Sequence, residues 1–172
     1  MTRPFILLAS LLALGACANN APMGPRALAQ LQSTTGNTAT GSITFVQSGD
    51  KVLVSGLVTG LKANTEHGFH LHEKGDCSSG DGMSAGGHFN PGAQPHGSHA
   101  GMAHHAGDLP SLKADASGAA KFSFESSSIS VGSGASDIVG RAVIVHRDPD
   151  DYTTQPTGNS GPRLACAVIT RG

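Results

Sequence analysis

The chain has 172 residues, of which 24 are glycine, none is tryptophan and 13% are charged. This length is enough for one domain with a real core, and the composition favours a β protein with long loops over a helical one. A formal net charge of −1 gives no reason to expect nucleic acid or an anionic membrane surface as a partner.

The first 16 residues have the features of an export signal. Arg3 precedes an apolar run from residue 5 to residue 14, which is too short to span a bilayer. The following Leu-Gly-Ala-Cys resembles a bacterial lipobox, in which the cysteine, here Cys17, becomes the lipidated first residue. The alternative is ordinary cleavage nearby, with Cys17 discarded. We predict export to the bacterial periplasm with a lipid anchor on Cys17, a flexible tether over 17–26 and one domain over 27–172.

Export changes the expectation for the other two cysteines. In an oxidising compartment Cys77 and Cys166 form an even pair, for which a disulfide is the default. Its long loop would contribute about 4 kcal/mol in the chain-entropy model. A free reactive thiol at either position is the alternative.

Short segments with β-strand character follow the tether. They cover residues 27–33, 41–47, 51–59, 66–73, 109–115, 119–125, 140–146 and 164–170. Alternation of apolar and polar residues is visible in SITFVQ and KVLVSGLV, and Gly49-Asp50 and Ser117-Gly118 are typical of hairpin turns. Eight strands predict an all-β sandwich or barrel. Residues 74–107 and 147–162 are long and irregular, which in a compact domain indicates function.

The segment HGFHLHE contains three histidines in six residues. In a strand, His70 and His72 share one face, while His67, Phe69 and Leu71 share the other, which we expect to be the core. Two histidines at this spacing can reach one metal ion; the alternative is that both are exposed polar residues. We expect His67 to be structural and to bond a loop through a ring nitrogen.

The first long segment supplies further metal-ligand chemistry. His88, His96, His105 and Asp108 can form a tetrahedral set of three nitrogens and one oxygen, which suits zinc. A disordered histidine-rich tract that binds metal loosely is the alternative. His146 ends the strand RAVIVH and is well placed to join His70 and His72 from a neighbouring strand.

Five motifs together carry a resemblance to a known family. HGFHLHEKGDC, AGGHFNP, HAGDLP, GRAVIVHRDPDD and GNSGPRLACAVI resemble copper-zinc superoxide dismutase, particularly its bacterial exported form. The resemblance extends over roughly residues 27–171. It implies an eight-stranded Greek-key β-barrel, or immunoglobulin-like sandwich, with two long functional loops.

The resemblance also implies residue roles. The implied copper ligands are His70, His72, His88 and His146, and the implied zinc ligands are His88, His96, His105 and Asp108. His88 would bridge both metals. Asp150 would bond His70 and His96, Arg163 would receive the anion beside copper, and Cys77 and Cys166 would form the intrachain disulfide.

The implied reaction converts two superoxide anions and two protons into O2 and H2O2. Copper, one per chain, would cycle between two oxidation states, while one zinc would hold the bridging ring and His88 would pass a proton. The protein would be a monomer or a homodimer. Because the chain is net negative, Arg163 would act as a local positive focus for superoxide.

A copper or zinc carrier is the alternative function. Carriers need an exposed site for metal transfer, often with Met or Cys ligands. Met83 and Met102 lie in the long loop but form no repeated motif, and Arg163 would have no purpose in a carrier. His99 and His104 fall outside the implied ligand positions, and we expect them to be solvated.

Overall fold

The computed structural model describes residues 24–172, so the predicted leader, Cys17 and most of the predicted tether lie outside it. Its first strand begins at Arg26, one residue before the predicted start of the domain. Within residues 24–172 there is no helix with the length and apolar character needed to cross a membrane.

Strands account for nearly all regular structure in residues 24–172. They are β1 (Arg26–Ser33), β2 (Thr40–Ser48), β3 (Lys51–Thr59), β4 (Glu66–His67), β5 (Phe69–His72), β6 (Leu112–Lys113), β7 (Ala120–Ser126), β8 (Ala142–His146), β9 (Arg163–Val168) and β10 (Thr170–Arg171). One 3-10 turn, Met83–Ala85, is added to them. The predicted all-β class is confirmed.

The main sheet is antiparallel and curls into a half-barrel. Its strand order is β5-β8-β9-β1-β2-β3-β7, with β10 also paired to β1, while β4 and β6 form a separate pair. Strands β1 to β3 follow one another directly, with a tight turn at Gly49-Asp50 joining β2 to β3. The pairs β5–β8 and β3–β7 join strands that are distant in sequence, as Greek-key connections do.

Three predicted strands are shorter or divided. The segment 66–73 breaks at Gly68, whose N–H donates to the carbonyl of Asp148 at 2.8 Å and whose carbonyl accepts from the N–H of His146 at 2.8 Å. A Cβ at Gly68 would lie 2.6 Å from Ser160 Oγ, so the close contact requires glycine. Segment 109–115 reduces to β6, and segment 164–170 divides into β9 and β10.

The core lies on the concave side of the sheet. Buried and exposed residues alternate along β1, where Ala27, Ala29 and Leu31 point inwards. Phe45 of β2 and Phe69 of β5 are fully buried among them. Strand β8 is buried on both faces, because the first long loop covers its outer side.

Both predicted long segments are confirmed as irregular. Residues 73–111 contain only the 3-10 turn and isolated β-bridges, and residues 147–162 contain no strand. A third irregular segment, 127–141, is not marked by any sequence pattern. Its residues Ile129, Val131 and Ile138 are buried in the main core, so it contributes packing.

Candidate metal centre

The four predicted copper ligands converge at one end of the barrel. His70 and His72 lie on β5, His146 ends the neighbouring β8, and His88 comes from the first long loop. All four are buried, and one potential ligand atom of each lies within 4.8 Å of the others. Alternation along β5 places Phe69 and Leu71 in the core, as predicted.

Each ring in this cluster has one nitrogen held by the protein and one without a partner. The Nδ1–H of His72 donates to the carbonyl of Gly86 at 2.9 Å, and that of His146 to the carbonyl of Gly161 at 3.1 Å. The buried Nε2 atoms of both rings have no hydrogen-bond partner. Buried polar atoms are almost always paired, and metal ligands characteristically donate their other ring nitrogen. These free nitrogens therefore indicate a metal.

In His70 the roles of the two ring nitrogens are exchanged. Its Nε2–H donates to Asp150 Oδ2 at 2.7 Å, and its buried Nδ1 is left without a partner. His88 likewise has a buried Nε2 with no hydrogen bond. Its ring stacks on that of His70, with 4.0 Å between the centroids.

The four predicted zinc ligands form a second buried cluster that shares His88 with the first. Asp108 Oδ1 lies 2.9 Å from Nδ1 of His88, 3.0 Å from Nδ1 of His96 and 3.2 Å from Nδ1 of His105. Nδ1 of His105 and Nδ1 of His88 are 3.3 Å apart. Four ligands around zinc at about 2.0–2.1 Å are about 3.3 Å from one another. The four side chains are therefore close enough together for one zinc ion to contact them all.

The hydrogen-bond geometry supports this interpretation. Nδ1 of His96 is close to Asp108 Oδ1 but makes no aligned hydrogen bond. Oδ2 of Asp108 accepts from the backbone N–H of His105 at 2.8 Å and of Gly97 at 3.1 Å. The carboxylate is thereby fixed with Oδ1 directed at the three rings.

Asp150 links the two clusters. Its Oδ2 accepts from His70 and its Oδ1 accepts from Nε2–H of His96 at 2.9 Å. Oδ1 also accepts from the backbone N–H of Tyr152 at 2.7 Å. Gly158 packs directly against this carboxylate and against the His96 ring, with a positive φ of 65°. The predicted contacts of Asp150 are present.

Burial keeps three rings of this cluster, His72, His88 and His146, neutral. Burial, followed by the neighbouring His70, lowers the pKa of His146 to about 3. Burial also lowers the pKa of His88 to about 4, although Asp108 opposes it, and lowers the pKa of His72 well below its ordinary value. A neutral imidazole has the lone pair that a metal requires.

Arg163 lies at the mouth of the first cluster. Its guanidinium donates to the carbonyl of Gly82 at 2.7 Å and to that of Gly86 at 2.6 Å. It lines a cleft of about 480 Å³ together with His72, His88 and His146. A small anion entering this cleft would meet the arginine and the free ring nitrogens together.

A disulfide joins Cys77 to Cys166, with 5.9 Å between their Cα atoms. It fastens the first long loop to β9, the strand that begins with Arg163. Ala85 in the same loop packs with Cys166. The disulfide therefore holds the segment whose carbonyl groups orient the guanidinium.

The remaining histidines lie outside both clusters. His67 is buried, and its Nδ1–H donates to the carbonyl of His146, the last residue of β8, at 2.9 Å; its Nε2 contacts Thr65 Oγ1, which precedes β4, at 2.9 Å. His99 is exposed, and His104 is half-buried with its Nδ1–H donating to the carbonyl of His105 at 2.7 Å.

Several residues of the site were not found from the sequence. Gly82, Gly86 and Gly161 act through backbone carbonyl groups, which no residue type marks. Asp81 lines the same cleft as Arg163 and places a carboxylate there. An aspartate between two glycines in a loop carries no signal for such a position, so only the fold reveals it.

The first long loop also runs beside β5 and pairs with its backbone at single positions. His70 pairs with Asp108, and His72 pairs with His88, as isolated β-bridges. The N–H of Leu71 donates to the carbonyl of Gly107 at 2.9 Å. This covers the edge of the main sheet and brings loop ligands beside strand ligands.

Comparisons with known proteins agree with this geometry. The family model described as copper/zinc superoxide dismutase (SODC) matches residues 39–169. The chain is 44% identical over 135 residues to the superoxide dismutase [Cu-Zn] of Paramecium bursaria Chlorella virus 1, covering 75% of this chain and 71% of that protein. It is 43% identical over 135 residues to the extracellular superoxide dismutase [Cu-Zn] of Caenorhabditis elegans, covering 75% of this chain and 60% of the nematode protein.

A solved structure has a similar fold. The crystal structure of the clock protein EA4 superposes with a TM-score of 0.77 at 42% identity, covering 84% of this chain and 93% of that one. Fold, clusters and relatives define a metal-dependent oxidoreductase of the antiparallel β-barrel type. The chain belongs to the copper/zinc superoxide dismutase family. Its cofactors are copper and zinc, and its activity is superoxide dismutation.

Proposed function

We propose that the two clusters carry the dismutase reaction with divided roles. His70, His72, His88 and His146 hold copper, and His88, His96, His105 and Asp108 hold zinc. One observation carries this assignment: five buried ring nitrogens in two clusters that share His88 lack a hydrogen-bond partner. Each free nitrogen belongs to a proposed ligand.

The residues around the metals handle charge and protons. Copper supplies the one-electron redox couple, and zinc is redox-inert. Arg163 attracts superoxide into a cleft of an otherwise net-negative chain and holds the anion by its guanidinium. His88 Nε2 can carry a proton only while it is not bound to copper; in that state it would supply one of the two protons that the second superoxide takes up on its way to H2O2, and solvent would supply the other. The proposed ligands are buried, and those that line the cleft share it with Arg163, which has no purpose in a metal carrier; this favours an enzyme.

The ligand assignment is tested by removing the shared ring. His88→Ala should abolish superoxide loss and reduce the content of both metals, measured by pulse radiolysis and elemental analysis. The control is His99→Ala, an exposed histidine outside both clusters, which should retain one copper, one zinc and full activity. Full activity of His88→Ala would contradict the assignment. Both metals bound by the wild-type chain without superoxide loss would favour the carrier.

We also propose that the protein is a bacterial exported form that protects the cell envelope. The leader pattern of residues 1–16 and the lipobox-like Cys17 support periplasmic export with a lipid anchor, residues 17–26 being the tether and 27–172 the domain. The disulfide supports an oxidising compartment. An extracellular relative exists in Caenorhabditis elegans. Mass spectrometry of the mature N-terminus should find the lipid on Cys17, and Cys17→Ala should release a soluble chain.

The proposed site does not require a second subunit, since all seven proposed ligands come from one chain. A monomer and a homodimer are therefore both compatible with activity. Sedimentation of the mature chain together with its specific activity at each concentration would distinguish them.

A further inference from the structure

Among the proposed zinc ligands, His96 lies in the least regular part of the chain. It follows Pro95 in a stretch without strand or turn, yet it is only 3% exposed. Neither its backbone N–H nor its carbonyl has a backbone partner within residues 24–172. Buried backbone groups of this kind need partners from side chains or water. The position of His96 is therefore set by side chains.

Gln155 supplies both missing partners. Its Oε1 accepts from the backbone N–H of His96 at 2.9 Å, and its Nε2–H donates to the carbonyl of His96 at 2.9 Å. One primary amide thus pairs with the backbone of a single residue 59 positions away in sequence. Such a two-point contact fixes orientation as well as position, because a rotation of the His96 backbone would break one of the two bonds.

The second long loop therefore holds His96 at three of its four polar groups. Gln155 holds the N–H and the carbonyl, and Asp150 accepts from Nε2–H. The remaining group, Nδ1, is the buried nitrogen without a hydrogen bond that faces Asp108. Every polar group of this residue except the proposed zinc-binding atom is restrained by one loop.

We propose that Gln155 is a positioning residue for zinc, which acts by clamping the His96 backbone so that Nδ1 is aimed at the metal. This rests on the proposed role of His96 as a zinc ligand. Gln155 belongs to neither ligand cluster and its side chain bonds the His96 backbone, so its contribution is geometric. It slows the departure of His96 from zinc, because the ligand can leave only when the clamp and the Asp150 bond open together. No feature of the isolated sequence assigns this role to a loop glutamine.

Three variants of Gln155 test whether its two hydrogen bonds, and not the bulk of its side chain, hold the His96 backbone in place. Gln155→Ala removes both bonds. Gln155→Glu keeps an acceptor for the N–H but places a second oxygen against the His96 carbonyl. Gln155→Asn keeps the same amide on a side chain one methylene shorter, so it cannot reach both groups. The matched control is Gln94→Ala, an exposed glutamine of the first long loop whose side chain bonds only the carbonyl of Gly92 at 3.1 Å.

The experiment measures metal release from the copper- and zinc-loaded full chain into an excess of a chromogenic chelator. Loss of a residue that orients a ligand reduces metal affinity by about 10–100-fold. Because Asp150 still holds the ring, we expect the lower end of this range: zinc release about tenfold faster in Gln155→Ala and Gln155→Glu, with the wild-type rate in Gln94→Ala. Cobalt substituted for zinc should show a changed visible spectrum, which reports the ligand geometry directly.

Copper release serves as the internal reference. The rate of copper release should stay within about twofold of the wild-type rate, because His96 is not a proposed copper ligand. This change is far smaller than the one expected for zinc release. Unchanged zinc release and an unchanged cobalt spectrum in Gln155→Ala and Gln155→Glu would overturn the clamp. Equal acceleration of zinc and copper release in all three variants would also overturn it, because that pattern means general loosening. A wild-type chain that binds no zinc would instead defeat the assignment of His96 as ligand.

Discussion

Asp150 is the residue whose replacement tests the coupling between the two metal sites. Its two oxygens accept from two different rings, at 2.7 Å from His70 and at 2.9 Å from His96. The change Asp150→Asn keeps the shape but offers one oxygen and one NH2. Whichever way the amide turns, one ring N–H then faces another donor. A buried donor left without a partner costs about 1–3 kcal/mol.

The two rings are not equally vulnerable to this change. His70 belongs to β5, and its backbone is paired with Ile144 of β8. His96 is in an irregular loop and depends on side-chain partners. We therefore expect zinc affinity to fall about 100-fold and copper affinity about tenfold, which corresponds to about 2.7 and 1.4 kcal/mol.

Chelator competition followed by elemental analysis measures both affinities in one titration. The matched control is Asp151→Asn, an exposed carboxylate next in sequence that accepts from the backbone N–H of Thr154 at 2.8 Å and touches no histidine. Its metal affinities should equal those of wild type. Retention of both metals within about twofold in Asp150→Asn would refute the reasoning, since a lost ligand partner costs at least about tenfold.

Further predictions concern stability, capture of substrate and backbone geometry. Replacing Cys77 and Cys166 together by alanine opens a link between residues 89 apart in sequence, and urea unfolding should show a loss of about 4–5 kcal/mol; a loss below about 1 kcal/mol would contradict the chain-entropy account. Asp81→Asn removes a negative charge from the cleft, so pulse radiolysis at low salt should show about twofold faster superoxide loss, and the gain should vanish at high salt; a slower variant would argue against steering. Gly158→Ala adds a Cβ that overlaps the carboxylate of Asp150 at a positive φ, so the purified variant should contain less than half the wild-type zinc; wild-type zinc content would contradict the packing.

Residue type, together with the family resemblance, made the clustering of these side chains predictable. Histidine and aspartate at these spacings, in five motifs that occur in order, are hard to account for without a metal, and the structure brings all seven predicted ligands together. The alternation argument for His70 and His72 also holds, because strand β5 is regular over the segment that contains both. Local patterns of this kind depend only on the period of a strand, which sequence records directly.

Contacts made by the backbone were not predictable in the same way. The carbonyl of Gly86 accepts from both His72 and Arg163, yet every residue has such a carbonyl. The division of 66–73 at Gly68 depends on the approach of Ser160 from the second long loop, which a strand pattern does not reveal. Contacts between residues distant in sequence therefore determine where the observed strands end.

The distribution of ligands over the fold suggests different controls for the two metals. Three proposed copper ligands, His70, His72 and His146, lie on adjacent strands of the barrel, where backbone pairing fixes their rings. The ligands that serve zinc alone lie in the first long loop, which has no strand of its own. Asp108 pairs with His70 only as an isolated β-bridge, and His96 is held by side chains of the second long loop. A rigid frame gives a redox metal a constant geometry, while a loop held by few contacts makes zinc retention sensitive to each of them. Changes in the loops should therefore alter zinc first, and changes in β5 or β8 should alter copper first.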